Sequence, residues 1–92
     1  MPVIQIPSAL RSFTDNQARV DVEAVTAGEA LAALAAAYPS LRKHLYSDDG
    51  QLRSFVNVYK NDEDIRFLGR DATPLAAGDT LIIVPSIAGG RA

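Results

Sequence analysis

Alternating apolar and polar residues predict a β-hairpin at the start of the chain. Residues 3–6 read Val-Ile-Gln-Ile between two prolines, which is typical of a short strand. Residues 19–23 alternate between charged and apolar side chains, as a strand with one buried face does. Residues 8–17 are mainly polar and are expected to form a long loop that connects the two strands.

A capping box and a periodic apolar stripe predict the main helix. Thr26 is followed three residues later by Glu29, and at this spacing the hydroxyl and the carboxylate each accept a hydrogen bond from an amide at the helix start. Apolar residues then recur on one helical face, at Leu31, Leu34, Ala35 and Tyr38. Pro39 ends this helix or restarts it, because Leu41 and Leu45 are spaced for one or two further turns.

The second half of the chain reads as strands and turns. Residues 55–59 form a strong strand pattern, with Val56 and Val58 on one face and Phe55 and Tyr59 on the other. Residues 60–64 are expected to turn the chain, and residues 65–67 to form a short edge strand. Residues 71–79 are expected to be irregular, and residues 80–85 form a last strand that is apolar on both faces.

This order of elements predicts an α+β fold of the β-grasp type, the roll of ubiquitin-like proteins. We expect the first and last strands to lie side by side and parallel at the centre of a mixed sheet of four to five strands. One main helix packs across one face of that sheet. The rival ferredoxin-like fold needs a second helix, for which residues 71–79, containing Pro74 and Gly78, are a poor candidate. The domain is expected to span residues 1–85, followed by a flexible tail at 86–92.

Composition excludes several classes of function. The chain has 92 residues and a net charge of −2, so it lacks the basic surface typical of nucleic-acid binding. It has no cysteine, which excludes disulfides, thiolate metal sites and a cysteine nucleophile. No apolar stretch is long enough to span a bilayer, and no signal peptide is evident at the N-terminus. We therefore expect a cytoplasmic protein without membrane or nucleic-acid partners.

The most informative motif is the pair Gly89-Gly90 after the last strand. A backbone without Cβ atoms enters slots that exclude other residues, and its carbonyl groups are easily approached. The alternative is a flexible terminus without a role, as in many domains.

The chain resembles the ThiS/MoaD family of ubiquitin-like sulfur carrier proteins. The resemblance covers nearly the whole chain and rests on residues 3–7, 55–67 and 77–90. The middle block and the Ala-Gly-Gly end are most similar to the CysO-type carriers of a cysteine-making pathway, and less similar to the thiamine and molybdopterin carriers.

The resemblance implies that the reactive group is a C-terminal glycine carboxylate, here that of Gly90 with Gly89 before it. An E1-like enzyme adenylates the carboxylate with ATP, and sulfur then displaces AMP to leave a thiocarboxylate. A cysteine synthase-like enzyme accepts the sulfur. The carrier itself is then a protein substrate with no bound cofactor or metal and no catalytic residues of its own.

Arg91 and Ala92 depart from this pattern because they follow Gly90. The carboxylate of Gly90 is therefore part of a peptide bond and cannot be adenylated. We expect a peptidase, of the JAMM metalloprotease type by the same resemblance, to cleave between Gly90 and Arg91. The alternative is that the two residues alter the function.

The alternation of the last strand predicts a docking face for partner enzymes. Leu81 and Ile83 would face the helix, which leaves Ile82 and Val84 on the opposite face, beside the tail. We expect this face to bind the activating enzyme, together with residues on either side of it: Phe55, Tyr59, Pro85 and Ile87. The alternative is that a loop covers Ile82 and Val84.

The remaining polar residues give little support for an enzyme. The carboxylates of residues 62–64 are expected to form a solvated turn, since consecutive carboxylates point in different directions. His44 has no nucleophile beside it in sequence and is expected on the surface of a helix. Ser47, Ser54 and Ser86 lack the sequence context of a nucleophile.

Two functions from different classes therefore remain, a sulfur donor and a ubiquitin-like modifier that is joined through Gly90 to lysines. For the sulfur donor, the resemblance favours cysteine biosynthesis, and molybdopterin or thiamine synthesis is the alternative. A β-grasp binding module that conjugates to nothing is a third possibility.

Overall fold

The computed structural model describes residues 1–53 and 56–85, whose strands join into one mixed sheet. The strand order is β2-β1-β5-β3-β4. The central pair, β1 and β5, is parallel, and the other neighbours are antiparallel. The strands are β1 (Val3–Gln5), β2 (Arg19–Asp21), β3 (Val56–Lys60), β4 (Glu63–Asp64) and β5 (Thr80–Pro85). The predicted β-grasp topology, with the first and last strands parallel at the centre, is confirmed.

The main helix, α1 (Ala27–Ala37), begins at the predicted capping box. The Thr26 hydroxyl oxygen accepts a hydrogen bond from the backbone N–H of Glu29 at 3.2 Å. The Glu29 carboxylate in turn accepts one from the N–H of Val25 at 3.1 Å, one residue before Thr26. The first bond satisfies an amide of the first helical turn that has no partner within the helix, and the second ties the Glu29 side chain back to the residue before the N-cap. Together they fix where α1 begins.

A second helix, α2 (Pro39–Leu45), starts directly at the proline. Proline suits the first helical position, because the amide that it lacks would have no partner there. The restart that Leu41 and Leu45 predicted is thus confirmed, and both side chains are fully buried.

The hydrophobic core lies between the two helices and one face of the sheet. Leu81 and Ile83 of β5 are at most 1% exposed and belong to the same cluster as the helix leucines. Each such side chain contributes about 1.5–3 kcal/mol when it is fully buried. The cluster contains Ile4, Ile6, Leu10, Val22, Ala27, Ala30, Leu31, Leu34, Leu41, Leu45, Val56, Val58, Ile65, Leu75, Leu81 and Ile83.

The first turn of α1 packs against a short 3₁₀ helix, Arg70–Ala72. A Cβ atom at Gly28 would lie 2.9 Å from the Cβ of Asp71 and 3.1 Å from its carbonyl oxygen. The backbone N–H of Ala27 donates to the carbonyl of Thr73 at 2.9 Å. Glycine at position 28 therefore permits the close approach that this hydrogen bond needs.

Two local predictions were wrong. Residues 8–17 are not simply a loop, because Ser8–Phe13 form a 3₁₀ helix that places Leu10 in the core. Residues 65–67 do not form the edge strand. The strand is β4, and Ile65–Phe67 form a 3₁₀ turn in which the Asp64 carboxylate accepts a hydrogen bond from the N–H of Arg66 at 2.9 Å. Residues 71–79 are irregular as predicted, apart from the end of the 3₁₀ helix at 70–72.

The turn before β5 is held by Asp79. One carboxylate oxygen accepts from the N–H of Ala76 at 2.7 Å, and the other accepts from the side-chain amide of Asn61 at 2.9 Å. These two hydrogen bonds and the Lys60 ammonium, 3.6 Å away, lower the pKa of the Asp79 carboxyl. The start of β5 is thus tied to the end of β3, which fixes the strand that leads to the tail.

None of the helices in the described part of the chain is long and apolar enough to cross a membrane.

Candidate docking face and reactive terminus

The central strand β5 determines where the tail leaves the domain. It pairs with β1 on one side and with β3 on the other, and the pairing with β3 extends to Val56 opposite Pro85. Pro85 is the last residue that the structure describes. Ile87, Gly89, Gly90 and Arg91 lie outside the described residues, as does Phe55, so their roles stay predictions.

The two faces of β5 differ as the alternation predicted. Leu81 and Ile83 face the helices, whereas Ile82 and Val84 lie on the opposite side of the sheet, which we call the open face. Val84 is 40% exposed and Ile82 is partly buried. No loop of the described chain covers Val84. The alternative that a loop covers this face of β5 is therefore wrong at Val84.

Cross-strand register places Tyr59 on the open face as well. Tyr59 of β3 is directly opposite Ile82, and Ile82 is opposite Gln5 of β1. Directly opposed residues share a face. Three of the predicted docking residues, Ile82, Val84 and Tyr59, are therefore neighbours on one surface.

A groove runs along the β1 side of Ile82 and Val84, and we call it the β5 groove. Its volume is about 490 Å³, and the residues that line it include Arg11 and Arg19. Arg19 lies in the same cross-strand row as Gln5 and Ile82. Sequence reasoning missed both arginines. They could have been found from the predicted parallel pairing of β1 and β5, because this pairing brings the residues that follow β1 next to the end of β5.

At the other edge of the open face, Arg66 and Asp64 form an ion pair. The Arg66 Nη2 is 2.7 Å from one carboxylate oxygen of Asp64, and Nε is 3.2 Å from both oxygens. Hydrogen bonds from Arg66 lower the pKa of the Asp64 carboxyl, and the pKa of Arg66 is raised in return. Asp64 is buried beneath this pair, so the expected solvated turn at residues 62–64 is correct only for Asp62 and Glu63.

His44 is not the simple surface residue that was expected. Its ring stacks on Phe13 with the centroids 4.2 Å apart, and the side chain is half-buried. Its Nε2 is buried and has no hydrogen-bond partner among the residues described. The prediction failed because the 3₁₀ helix that carries Phe13 was not foreseen.

The described residues offer little chemistry of their own. Ser47 is a turn residue, since its hydroxyl lies within hydrogen-bond distance of two acceptors in the same turn, the Asp49 carboxylate and the carbonyl of Gln51. Within residues 1–53 and 56–85, no group of three His, Asp or Glu side chains could hold a metal ion. What this part of the chain provides is a β5 strand that leads to the tail, beside an open face that carries Ile82, Val84 and Tyr59 and has arginines at both edges.

Comparison with known proteins is consistent with this geometry. The model of the ThiS family matches residues 4–90. Sulfur carrier protein CysO of Mycobacterium tuberculosis (strain H37Rv) is 42% identical over 89 residues, which cover 95% of this chain and 96% of that protein. Small archaeal modifier protein 1 of Haloferax volcanii is 45% identical over 73 residues, which cover 78% and 79% respectively.

Among solved structures, a chain in the crystal structure of the Amycolatopsis orientalis BexX/CysO complex superposes with a TM-score of 0.87 at 33% identity. The match covers 98% of this chain and 100% of that one.

Proposed function

The chain belongs to the ThiS family, and on this basis we propose that it is a sulfur carrier that holds sulfur as a thiocarboxylate on Gly90. The observation that carries the proposal is the family match itself, which extends to residue 90 and so includes the glycine pair. The similarity to CysO supports the same role and favours cysteine biosynthesis as the pathway. The likeness to CysO in a complex with BexX supports action together with a partner enzyme.

The proposed chemistry occurs on enzymes that bind this protein. A carboxylate oxygen of Gly90 attacks the α-phosphorus of ATP and displaces pyrophosphate, which gives an acyl-adenylate. A sulfide-level sulfur then attacks the carbonyl carbon, and the bond to AMP breaks. Adenylation is needed because a carboxylate is a poor electrophile and AMP is a good leaving group. ATP is bound by an E1-like activating enzyme, so this chain acts as a substrate rather than as an enzyme.

Trimming must precede this chemistry. The peptide bond between Gly90 and Arg91 has to be hydrolysed before Gly90 has a carboxylate to activate. We propose that a JAMM-type metalloprotease performs this step in the cytoplasm, where ATP for the next step is available. The intact mass of protein purified from its native cells tests the step. We expect a chain that ends at Gly90, whereas a population that always retains Arg91 and Ala92 would contradict the proposal.

The open face is the proposed contact for the activating enzyme. Ile82, Val84 and Tyr59 form its apolar part, and Phe55, Pro85 and Ile87 are expected to extend it towards the tail. A partly exposed apolar face beside the exit of a reactive tail is typical of a binding surface. The enzyme that accepts the sulfur, of the cysteine synthase type, must reach the same terminus after Gly90 has received sulfur.

A second function, a protein modifier, is supported by the 45% identity to small archaeal modifier protein 1. In that case the acyl-adenylate of Gly90 would be passed to lysine amines of other proteins. Proteolysis of native cells followed by mass spectrometry separates the two functions. Glycine remnants on lysines of other proteins favour the modifier, whereas sulfur in place of oxygen on the free chain favours the carrier. A chain that lacks Gly89 and Gly90 and still functions would support the third possibility, a binding module.

A further inference from the structure

The β5 groove combines apolar residues with positively charged ones. Ile82 and Val84 line it, and so do Arg11 and Arg19, each of which carries a positive charge. No carboxylate is among the described residues that line it, although acidic residues outnumber basic ones in the whole chain, 11 to 9. The charge of the groove is therefore opposite in sign to the net charge of the protein.

Arg11 is held in place before any partner arrives. Its Nε donates a hydrogen bond to the carbonyl of Ile6 at 3.0 Å, and its side chain is half-buried. The bond uses one of the five N–H groups of the guanidinium and fixes the orientation of the guanidinium plane. A side chain that is already fixed loses less conformational entropy on binding, so Arg11 is prepared for a carboxylate.

Arg19 extends the positive charge across the sheet. Arg19 is directly opposite Gln5 of β1, and Gln5 is directly opposite Ile82 of β5. Two strand spacings, about 10 Å in total, therefore separate Arg19 from Ile82. The Arg19 side chain is exposed. A segment that covers Ile82 from the β1 side must therefore pass close to Arg19.

We propose that the β5 groove selects the activating enzyme by binding an acidic segment of that enzyme. An apolar side chain of the segment lies against Ile82 and Val84, and carboxylates on either side of it pair with Arg11 and Arg19. The identity of the partner rests on the proposed function, whereas the chemistry of the segment rests on the groove alone. Opposite charges across such a contact accelerate association and disfavour partners with a basic surface.

A titration with a defined peptide tests the proposal. The probe is a blocked peptide with a central leucine flanked by glutamates, added to the ¹⁵N-labelled full chain. We expect saturable shifts of amide signals around the β5 groove and weaker binding at higher salt. The variant Arg19→Glu should weaken binding at least about tenfold, because an attraction becomes a repulsion. The matched reversal Arg42→Glu, on the exposed side of α2, should change it less than about twofold.

Several results would overturn the proposal. One is that the peptide shifts no amide signals, or shifts signals only elsewhere on the surface. Another is that a peptide with glutamines in place of glutamates binds equally well. The third is that Arg19→Glu binds the acidic peptide as tightly as the unchanged chain does.

Kinetics with the activating enzyme separate this proposal from the proposed function. We expect Arg19→Glu to raise KM about tenfold, with most of the effect in KM rather than kcat. If Arg19→Glu still gains sulfur and its KM is unchanged, the docking proposal alone is refuted. A wild-type chain that ends at Gly90 and never gains sulfur would refute the proposed function, and the peptide titration would still decide the docking proposal.

Discussion

The substitution Val84→Asn is expected to impair docking to the activating enzyme while leaving the fold intact. Val84 lies on the open face next to the tail exit and is 40% exposed. Asparagine is close to valine in size and carries no charge, so it does not form a new ion pair with the arginines of the β5 groove. The change therefore isolates the apolar part of the contact.

The expected magnitude follows from the exposure of this side chain. Full burial of a valine contributes about 1.5–3 kcal/mol, so covering the 40% that remains exposed is worth about 0.6–1.2 kcal/mol. An amide placed against an apolar surface without a partner adds a cost of about 1–3 kcal/mol. Together these give a loss of about 2–4 kcal/mol, which corresponds to a Kd roughly 30-fold to several hundred-fold higher.

The assay is a titration of the chain ending at Gly90 with its activating enzyme, accompanied by thermal unfolding of each variant. The matched control is Val25→Asn, because Val25 is 65% exposed and follows β2, at the end of the sheet opposite to Pro85. We expect the control to change Kd less than about twofold, since the residue lies outside the proposed contact. Equal Kd values for the two variants, with both folded, would refute the assignment of the open face.

Two further predictions concern the fold. Gly28→Ala is expected to lower the free energy of unfolding by about 1–2 kcal/mol, because the new Cβ would lie 2.9 Å from the Cβ of Asp71. Chemical denaturation measures it, and Gly78→Ala, with nothing within 4 Å of the added atom, is the control expected near zero. Because Arg66 lowers the pKa of Asp64, this carboxylate stabilises the fold above its unfolded pKa of about 4, and the contribution disappears as the pH falls through the lower folded pKa. Asp64→Asn should therefore reduce stability at pH 7 and flatten its decline towards acid, and an unchanged pH profile would contradict the role of the ion pair.

The topology was predictable because local patterns and the global fold agree. The capping residues Thr26 and Glu29 form the expected hydrogen bonds at the start of α1. The apolar β5 pattern belongs to a central strand whose two neighbours are β1 and β3. Period-two alternation also indicated which face of β5 remains open, and the exposure of Val84 agrees with it.

The parts that could not be predicted depend on contacts between distant residues. Three alternating residues at 65–67 resemble a strand, but the side chain of Asp64 caps a 3₁₀ turn there instead. The burial of His44 depends on Phe13, about thirty positions earlier, through a stacking that no local pattern encodes. The two arginines and Val84 likewise line one groove only after β1 and β5 have paired.

The central claim is that Gly90 carries sulfur as a thiocarboxylate. The most direct test is the intact mass of the chain ending at Gly90 after incubation with its activating enzyme, ATP and sulfide. We predict a mass gain equal to the exchange of one oxygen for sulfur, located on Gly90 by fragmentation. We predict no gain for the chain that retains Arg91 and Ala92. An unchanged mass of the chain ending at Gly90, under conditions in which the enzyme consumes ATP with it, would contradict the account.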